Sequence, residues 1–121
     1  MTDHVDATIP LSDIAHARSG DKGNHANIGV IAWTRVGFDY LDSFLTADRV
    51  TEYFSLLNPQ NVERFVLPGI AAHNFLLHNV LAGGASRSLR TDSQGKALAS
   101  ALLQMRIPRP DGWRQMLKPT K

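Results

Sequence analysis

The stretch IPLSDIAHARSGDKGNHANIGVIAW, residues 9–33, decides the fold of this chain. Apolar and polar residues alternate imperfectly over 9–17, which predicts a strand with a bulge near residues 12–13. Residues 27–33 are apolar on both alternating faces, which predicts a strand buried at the centre of a sheet. The polar, glycine-containing segment between them, residues 18–27, predicts a loop that joins the two strands as a hairpin.

Helix-like and strand-like segments follow one another through the rest of the chain. In chain order the predicted elements span residues 46–58 (helix), 62–67 (strand), 70–81 (helix), 87–90 (strand) and 92–105 (helix). Thr46 is the predicted N-cap of the first helix. The helix over 70–81 is apolar nearly all round, which predicts burial between the sheet and a partner surface. This mixed order predicts an α+β fold, a mostly antiparallel sheet of about four strands with helices packed on one face.

The composition is that of one small globular domain. The chain has 121 residues, of which 43% are hydrophobic, enough for a core of its own. We expect a flexible leader over 1–8, a folded domain over 9–107 and a C-terminal tail over 108–121. The tail from residue 111 onward is expected to fray or to dock on a neighbouring subunit.

Cysteine content, hydropathy and charge narrow the classes of function. There is no cysteine, which excludes disulfides and thiolate chemistry. We find no secretory signal and no apolar run that could span a membrane, so we expect a cytoplasmic protein with no membrane partner. Residues 1–60 hold eight acidic and four basic residues, and residues 61–121 hold three and nine. This uneven distribution of charge could help two copies of the chain associate, attract an anionic ligand or arise by chance. The basic residues are scattered along the chain, which argues against nucleic-acid binding.

The densest polar cluster is the predicted loop, residues 18–27. Gly20 and Gly23 can adopt positive φ and expose successive N–H groups, a nest that can hold a carboxylate or a phosphate. Arg18 and Lys22 would add positive charge, and an arginine can bind an oxyanion with two parallel hydrogen bonds. The alternative is an ordinary hairpin connection with solvated charges.

Two residues of this loop, Asp21 and His25, could act as acid or base. No P-loop, dinucleotide-binding fingerprint or Gly-x-Ser-x-Gly nucleophile motif occurs in the chain. His73 and His78 are five residues apart, about 140° around a helix, which does not suit metal binding. We therefore expect no metal and no cofactor.

A second glycine-containing turn, residues 83–87, carries a cation. It could be a plain helix stop. If it meets the first loop in space, Arg87, Arg90, Asp92 and Lys96 become candidate functional residues. Asp92 and Lys96, at i and i+4, could equally form a surface ion pair at a helix start.

The whole run from Ala17 to Val30 resembles the signature ARSGDKG-N-x-x-N-I-G of the acyclic-terpene-utilisation (AtuA-like) proteins. Later segments are also similar to that family, namely LPG at 67–69, NF at 74–75, GG at 83–84, SLR at 88–90, Asp92 and GK at 95–96. The resemblance implies a small ferredoxin-like domain, which forms the C-terminal part of larger AtuA-like proteins and also occurs as a separate chain. It also implies a place beside the breakdown of acyl-CoA from branched acids and acyclic terpenes, without an established reaction.

The resemblance gives weight to the predicted loop as a binding site. The candidate ligand-binding residues are Arg18, Ser19, Gly20, Asp21, Lys22, Gly23, Asn24, Asn27, Arg87, Arg90 and Lys96. Asp21 is the candidate catalytic residue.

Three hypotheses of function follow. The first is a site for a small anionic, acidic or acyl (CoA-type) molecule built on residues 18–27. The second is a non-catalytic accessory subunit that associates with a larger AtuA-like partner protein. The third, which ranks last because no acid–base or nucleophile set is complete, is an independent enzyme. Under each of them we expect a homo-oligomer, since small sheets often cover their exposed edges by symmetric pairing.

Overall fold

The computed structural model describes residues 7–80 and 96–119. Within these ranges the strands are β1 (Thr8–Pro10), β2 (Ala15–Lys22), β3 (His25–Ala32), β4 (Asn61–Leu67), β5 (Ala72–His78) and β6 (Arg106–Pro108). The α-helices are α1 (Arg35–Phe44), α2 (Ala47–Tyr53) and α3 (Lys96–Leu103). Short 3-10 helices span Leu11–Asp13, Ser55–Leu57, Pro68–Ile70 and Trp113–Met116.

Strands β2 and β3 form the predicted hairpin, but its strands reach much further than expected. They pair antiparallel from Ala15 opposite Ala32 to Lys22 opposite His25. Only residues 23–24 are left for the turn, and Gly23 takes the positive φ of 61° that favours glycine there. The polar segment 18–27 is therefore mainly paired strand, and the prediction of a loop over these residues is wrong. Gly20, within β2, does not take the positive φ that a nest at this position would need.

The predicted helix over 70–81 is instead a strand. Residues 68–70 form a short 3-10 turn, and β5 then pairs with β3 on one side and with β4 on the other. Its side chains alternate, with His73, Phe75 and Leu77 fully buried on one face. A short run that is apolar on both faces carries no clear period, so pairing on both sides rather than local sequence decides its structure.

Two helices connect β3 to β4. The sequence did not predict α1, which begins after Thr34, whose Oγ1 accepts a hydrogen bond of 3.0 Å from the Gly37 N–H. The N-cap predicted at Thr46 is confirmed, since its hydroxyl accepts from the Arg49 N–H. The helix that follows ends sooner than predicted, at Tyr53, and continues as a 3-10 turn.

The four main strands lie in the order β2-β3-β5-β4, with every neighbouring pair antiparallel. Strands β3 and β4 are therefore parallel, and the helical connection between them completes a split βαβ unit. The order β3, α1–α2, β4, β5, α3 follows the ferredoxin-like βαββα sequence. Strand β2, from earlier in the chain, occupies the sheet edge beside β3.

A second, two-stranded sheet joins the two ends of the domain. Strand β1 pairs antiparallel with β6, from Thr8 opposite Pro108 to Pro10 opposite Arg106. The strand predicted over 9–17 is therefore two strands separated by a 3-10 turn at Leu11–Asp13, where a bulge was expected. The predicted strand over 87–90 and the predicted start of the last helix lie outside the described residues.

The core lies between the helices and one face of the four-stranded sheet. Buried side chains of β3 and β5 alternate with less buried ones, and α1, α2 and α3 supply the facing layer. The principal core residues are Ile28, Val30, Phe75 and Leu77 of the sheet, with Phe38, Leu41, Val50, Leu98 and Leu102 of the helices. The expected α+β, ferredoxin-like architecture with helices on one face is confirmed.

The C-terminal tail packs on its own domain. The turn Trp113–Met116 lies against α1, and the Met116 side chain is buried. Further along, the Lys118 ammonium lies 4.8 Å from the centre of the Trp33 ring. Residues 113–118 therefore do not fray, whereas docking of the tail on a neighbouring subunit stays a prediction. In the described part of the chain, no helix is long and apolar enough to cross a membrane.

Candidate functional site

The sheet face turned away from α1, α2 and α3, which we call the open face, carries most of the polar residues of the hairpin. Because strand side chains alternate, the register decides which residues share it. They are His16, Arg18 and Gly20 of β2, His25, Asn27, Gly29 and Ile31 of β3, Asn74, Leu76 and His78 of β5, and Glu63, Phe65 and Leu67 of β4. Within residues 7–80 and 96–119 no helix covers these side chains, and Phe65 remains 47% exposed.

A groove of about 280 Å³ lies on the open face. It is lined by Gly20, His25, Ala26, Asn27, Phe65, Asn74 and Leu76. Two asparagine amides therefore share one small cavity with the apolar surfaces of an aromatic ring and a leucine. A few convergent polar groups against apolar walls are typical of small-molecule binding sites.

Glycines make room for the two asparagines. Gly20 lies directly opposite Asn27, and a Cβ atom at position 20 would stand 3.1 Å from the Asn27 Oδ1. Gly29 lies opposite Asn74, where a Cβ atom would stand 3.5 Å from the Asn74 Oδ1. Each amide thus faces a residue without a side chain on the neighbouring strand, which keeps the floor of the groove accessible.

Arg18 places a positive charge beside this groove. Arg18, Gly29, Asn74 and Phe65 form one row across the four strands. Strands are about 4.8 Å apart, so two strand spacings separate Arg18 from Asn74, with only a glycine between them. Arg18 is exposed, and in the described ranges no acidic group forms an ion pair with it. Its guanidinium is therefore available to an anionic group bound over the row.

Two histidines and a glutamate form a cluster beside the groove, and His25 of this cluster belongs to the groove lining. The His78 Nε2 lies 3.0 Å from the Glu63 Oε1. The His25 and His78 rings meet edge to face, with centroids 4.9 Å apart. The backbone N–H of Asn79 donates to the His25 Nδ1 at 3.1 Å. His25 therefore has a fixed partner on one ring nitrogen while its ring lines the groove.

A separate titratable cluster lies on the opposite face, under α1. His73 is fully buried and stacks on Phe38 at 4.6 Å between centroids, with its Nε2 3.1 Å from the Asp42 Oδ1. The Arg64 guanidinium lies 3.5 Å from the same carboxylate. Burial lowers the pKa of His73, the hydrogen bond to Asp42 opposes that shift, and the charge of Arg64 adds to it. This cluster is on the core side and does not contact the groove.

The predicted site residues are only partly brought together. Gly20 and Asn27 line the groove, and Arg18 lies beside it. Ser19 lies opposite Ile28, Asp21 and Lys22 occupy the last two positions of β2, and Gly23 and Asn24 form the turn. Lys96 begins α3, a helix that packs against the core side of the sheet. Arg87 and Arg90 lie outside the described residues, so a role for them stays a prediction.

Several groove residues were not among the predicted site residues. Asn74 was quoted only within the resemblance, and it stood inside a predicted helix. Phe65 lies in the predicted strand over 62–67 and Leu76 in the predicted helix over 70–81, and neither position indicates a site. The missed signal is the alternation of β5, which places Asn74, Leu76 and His78 on one face. Over the described residues no three histidine, cysteine, aspartate or glutamate side chains are grouped to hold a metal ion.

The strand order and the one-sided helices define a small α+β domain of the ferredoxin-like class. A family model described as the AtuA ferredoxin-like domain matches residues 9–108. The chain belongs to this family, which confirms the resemblance drawn from residues 17–30. Searches of the curated proteins and of the solved structures find no match to this chain.

Proposed function

We propose that the open face binds a small molecule that carries a carboxylate or an acyl group on a short apolar chain. The observation that carries this proposal is the composition of the groove, in which Asn27 and Asn74 share about 280 Å³ with Phe65 and Leu76. Arg18 is exposed and lies in the same row across the strands as Asn74 and Phe65, and its guanidinium fork would bind the acidic group.

The size of the groove limits the ligand. At about 30 Å³ for each water-sized group, a cavity of 280 Å³ holds about nine such groups. A branched acyl chain with its carboxyl or thioester group is of this size. In a CoA thioester only the acyl end would enter the groove, and the nucleotide would lie over the outer surface near Arg18. The amides can bind the carbonyl oxygen, and the aromatic ring and leucine can cover the chain.

The family relationship supports this choice of ligand. The resemblance to AtuA-like proteins implies a place beside the breakdown of acyl-CoA from branched acids or acyclic terpenes, pathways whose intermediates combine a carboxyl or thioester group with a branched apolar chain. In this proposal the protein acts in the cytoplasm on such intermediates. Binding rather than a specific reaction is proposed, since the groove residues do not form a complete acid–base or nucleophile set.

Titration of the 15N-labelled protein with isovalerate, octanoate and isovaleryl-CoA tests the proposal. The amide signals of Asn27, Asn74 and Leu76 should move, while those of β1 and β6 should not. Arg18→Ala should weaken isovalerate binding about tenfold, the value of one charged hydrogen bond at the low end of its range.

The matched control is Arg114→Ala, an exposed arginine of the tail that lies over Trp113, and its affinity should equal that of the parent. Titrations that leave all groove amides unperturbed, or an Arg18→Ala variant that binds every probe as well as the parent, would refute the proposal.

A second candidate function is an accessory subunit for a larger AtuA-like protein. The helix predicted over 70–81, with its partner surface, gives no support because this segment contains strand β5 instead. A different observation now favours it: β4 is an edge strand on which Phe65, Val66 and Leu67 are each at least 39% exposed. Such an edge can pair with another chain, either a larger partner or a second copy. Size-exclusion chromatography with and without a co-expressed larger AtuA-like protein tests this, and Val66→Lys should abolish any complex that forms through β4.

A further inference from the structure

One hydrogen bond fixes which nitrogen of His25 can carry a proton. The Asn79 backbone N–H lies 3.1 Å from the His25 Nδ1. A backbone N–H only donates, so Nδ1 must accept through its lone pair. In the neutral imidazole the single ring proton is then on Nε2. His25 is thereby held as a donor at Nε2.

The Asn79 N–H is itself held in place by its turn. Asn79 has a φ of 60°, a left-handed conformation that asparagine tolerates better than most residues. Its side-chain amide donates to the Gln60 Oε1, and the Gln60 N–H donates to the His78 carbonyl oxygen at 3.0 Å. The end of β5 is thus tied to the segment before β4, which fixes the direction of the N–H that His25 accepts.

The second ring of this cluster supports His25 from the side. The His78 ring packs against it at 4.9 Å, and the Glu63 carboxylate accepts a hydrogen bond from the His78 Nε2 at 3.0 Å. Neither contact uses the His25 Nε2. The ring is therefore oriented by its neighbours while one donor remains for a bound molecule.

We propose that His25 adds to the selection of oxygen acceptors that Arg18 provides, by donating Nε2–H to a carboxylate or thioester carbonyl oxygen in the groove. The inference rests on the proposed function and deepens it. The Asn27 and Asn74 amides can donate or accept, so they do not distinguish an acid from an amine of the same shape. A histidine fixed as a donor does, because a donor-only ammonium group would leave its N–H without an acceptor.

The tautomer can be measured directly in the parent protein. Long-range 15N–1H correlation spectra of the histidine rings should show Nε2–H for His25, with Nδ1 unprotonated. A ring that carries its proton on Nδ1 would overturn the inference without any variant being made.

The selectivity is tested with two probes that share one carbon chain, isovalerate and isoamylamine. The parent should bind isovalerate more tightly. His25→Phe should lose at least fivefold of that preference, and His25→Gln, whose amide places an N–H near the position of Nε2, should keep most of it. His16→Phe is the matched control, because His16 lies on the same face but stacks on Trp33 at 4.4 Å, outside the groove lining. Its preference should equal that of the parent.

The failures of the two proposals are distinguishable. If no groove amide responds to either probe, the proposed function fails and this inference fails with it. If Asn27 and Asn74 respond but His25→Phe and His25→Gln both keep the full preference for isovalerate, only the role of His25 is overturned. If His25→Phe does not fold, the ring spectra decide: isovalerate should shift the His25 Nε2–H signal, and an unchanged signal in the bound protein would overturn the role of His25.

Discussion

Replacing His73 with glutamine should remove a pH dependence from the stability of the domain. Burial lowers the pKa of the His73 imidazole from its ordinary value of 6.5, and the hydrogen bond to Asp42 offsets only part of that shift. In the unfolded chain the ring regains its ordinary pKa. As the pH falls below about 6.5, the unfolded state therefore binds a proton before the folded state does.

The size of the effect follows from that one proton. Above about pH 6.5 both states hold neutral His73, and the free energy of unfolding does not depend on it. Between about pH 6.5 and the lowered pKa, the free energy of unfolding should fall by up to about 1.4 kcal/mol for each pH unit. With an m-value of about 2 kcal/mol/M, this is a fall of roughly 0.7 M per pH unit in the urea midpoint.

Urea unfolding of the parent and of His73→Gln, from about pH 7.5 to about pH 5, measures the effect. Glutamine can still donate to Asp42 but does not titrate, so its stability should be lower at every pH and its slope below about pH 6.5 smaller. Asp42→Asn, which removes the group that raises the pKa, should extend the sloping range to lower pH. Equal slopes in the parent and His73→Gln would refute the assignment of His73 as a buried, neutral ring.

Four further substitutions test the architecture and the groove. Phe75→Ala should lower the free energy of unfolding by about 3–5 kcal/mol because it empties a fully buried site. Phe65→Ala, on the open face, should lower it far less. Equal losses of the two variants in urea unfolding would contradict the assigned faces. Gly20→Val should abolish isovalerate binding in calorimetry by crowding Asn27, with the circular dichroism spectrum unchanged; retained affinity would place the ligand elsewhere. Thr34→Ala should lower the free energy of unfolding by about 1 kcal/mol through loss of the α1 N-cap, and no loss in urea unfolding would show that this cap is unimportant.

The sequence predicted the hairpin and the fold class because those features depend on local pattern. Alternation before and after residues 18–27 identified both strands, and the mixed order of elements identified an α+β sheet. The extent of the strands was underestimated because glycine and charged residues usually mark turns. Here Gly20 and Gly29 lie within strands, where they leave space for asparagines of the neighbouring strands.

The errors at β5 and α1 have a tertiary origin. The run Phe75-Leu76-Leu77 is apolar on both faces, because one face meets the core and the other forms the groove, so its period of two is hidden. In α1 a glycine at position 37 weakens the helical signal. A Cβ atom there would lie 3.6 Å from Met116, a contact with a tail nearly eighty residues away.

About half of the candidate site could be predicted from the sequence. Its β2 and β3 residues are consecutive and stood out as a polar cluster. Its other half comes from β4 and β5, and only the pairing of β3 with β5 brings Asn74 beside Gly29 and Leu76 beside Asn27. The polar side chains opposite the glycines therefore could not be assigned before the register was known.

The small β1–β6 sheet has a consequence for how the domain folds. Its pairing of Thr8 with Pro108 closes a loop of about 100 residues, for which the entropy of closure is about 4 kcal/mol plus a constant. The pairing of two three-residue strands cannot by itself offset this entropy cost. The β1–β6 pair should therefore form only after the central hairpin and β5 have brought both segments together. In hydrogen exchange the amides of β1 and β6 should therefore exchange through a local opening. The free energy of that opening should be well below the free energy of the opening that exposes the amides of β3. The two-stranded sheet would then be the last part of the domain to form and the first to open.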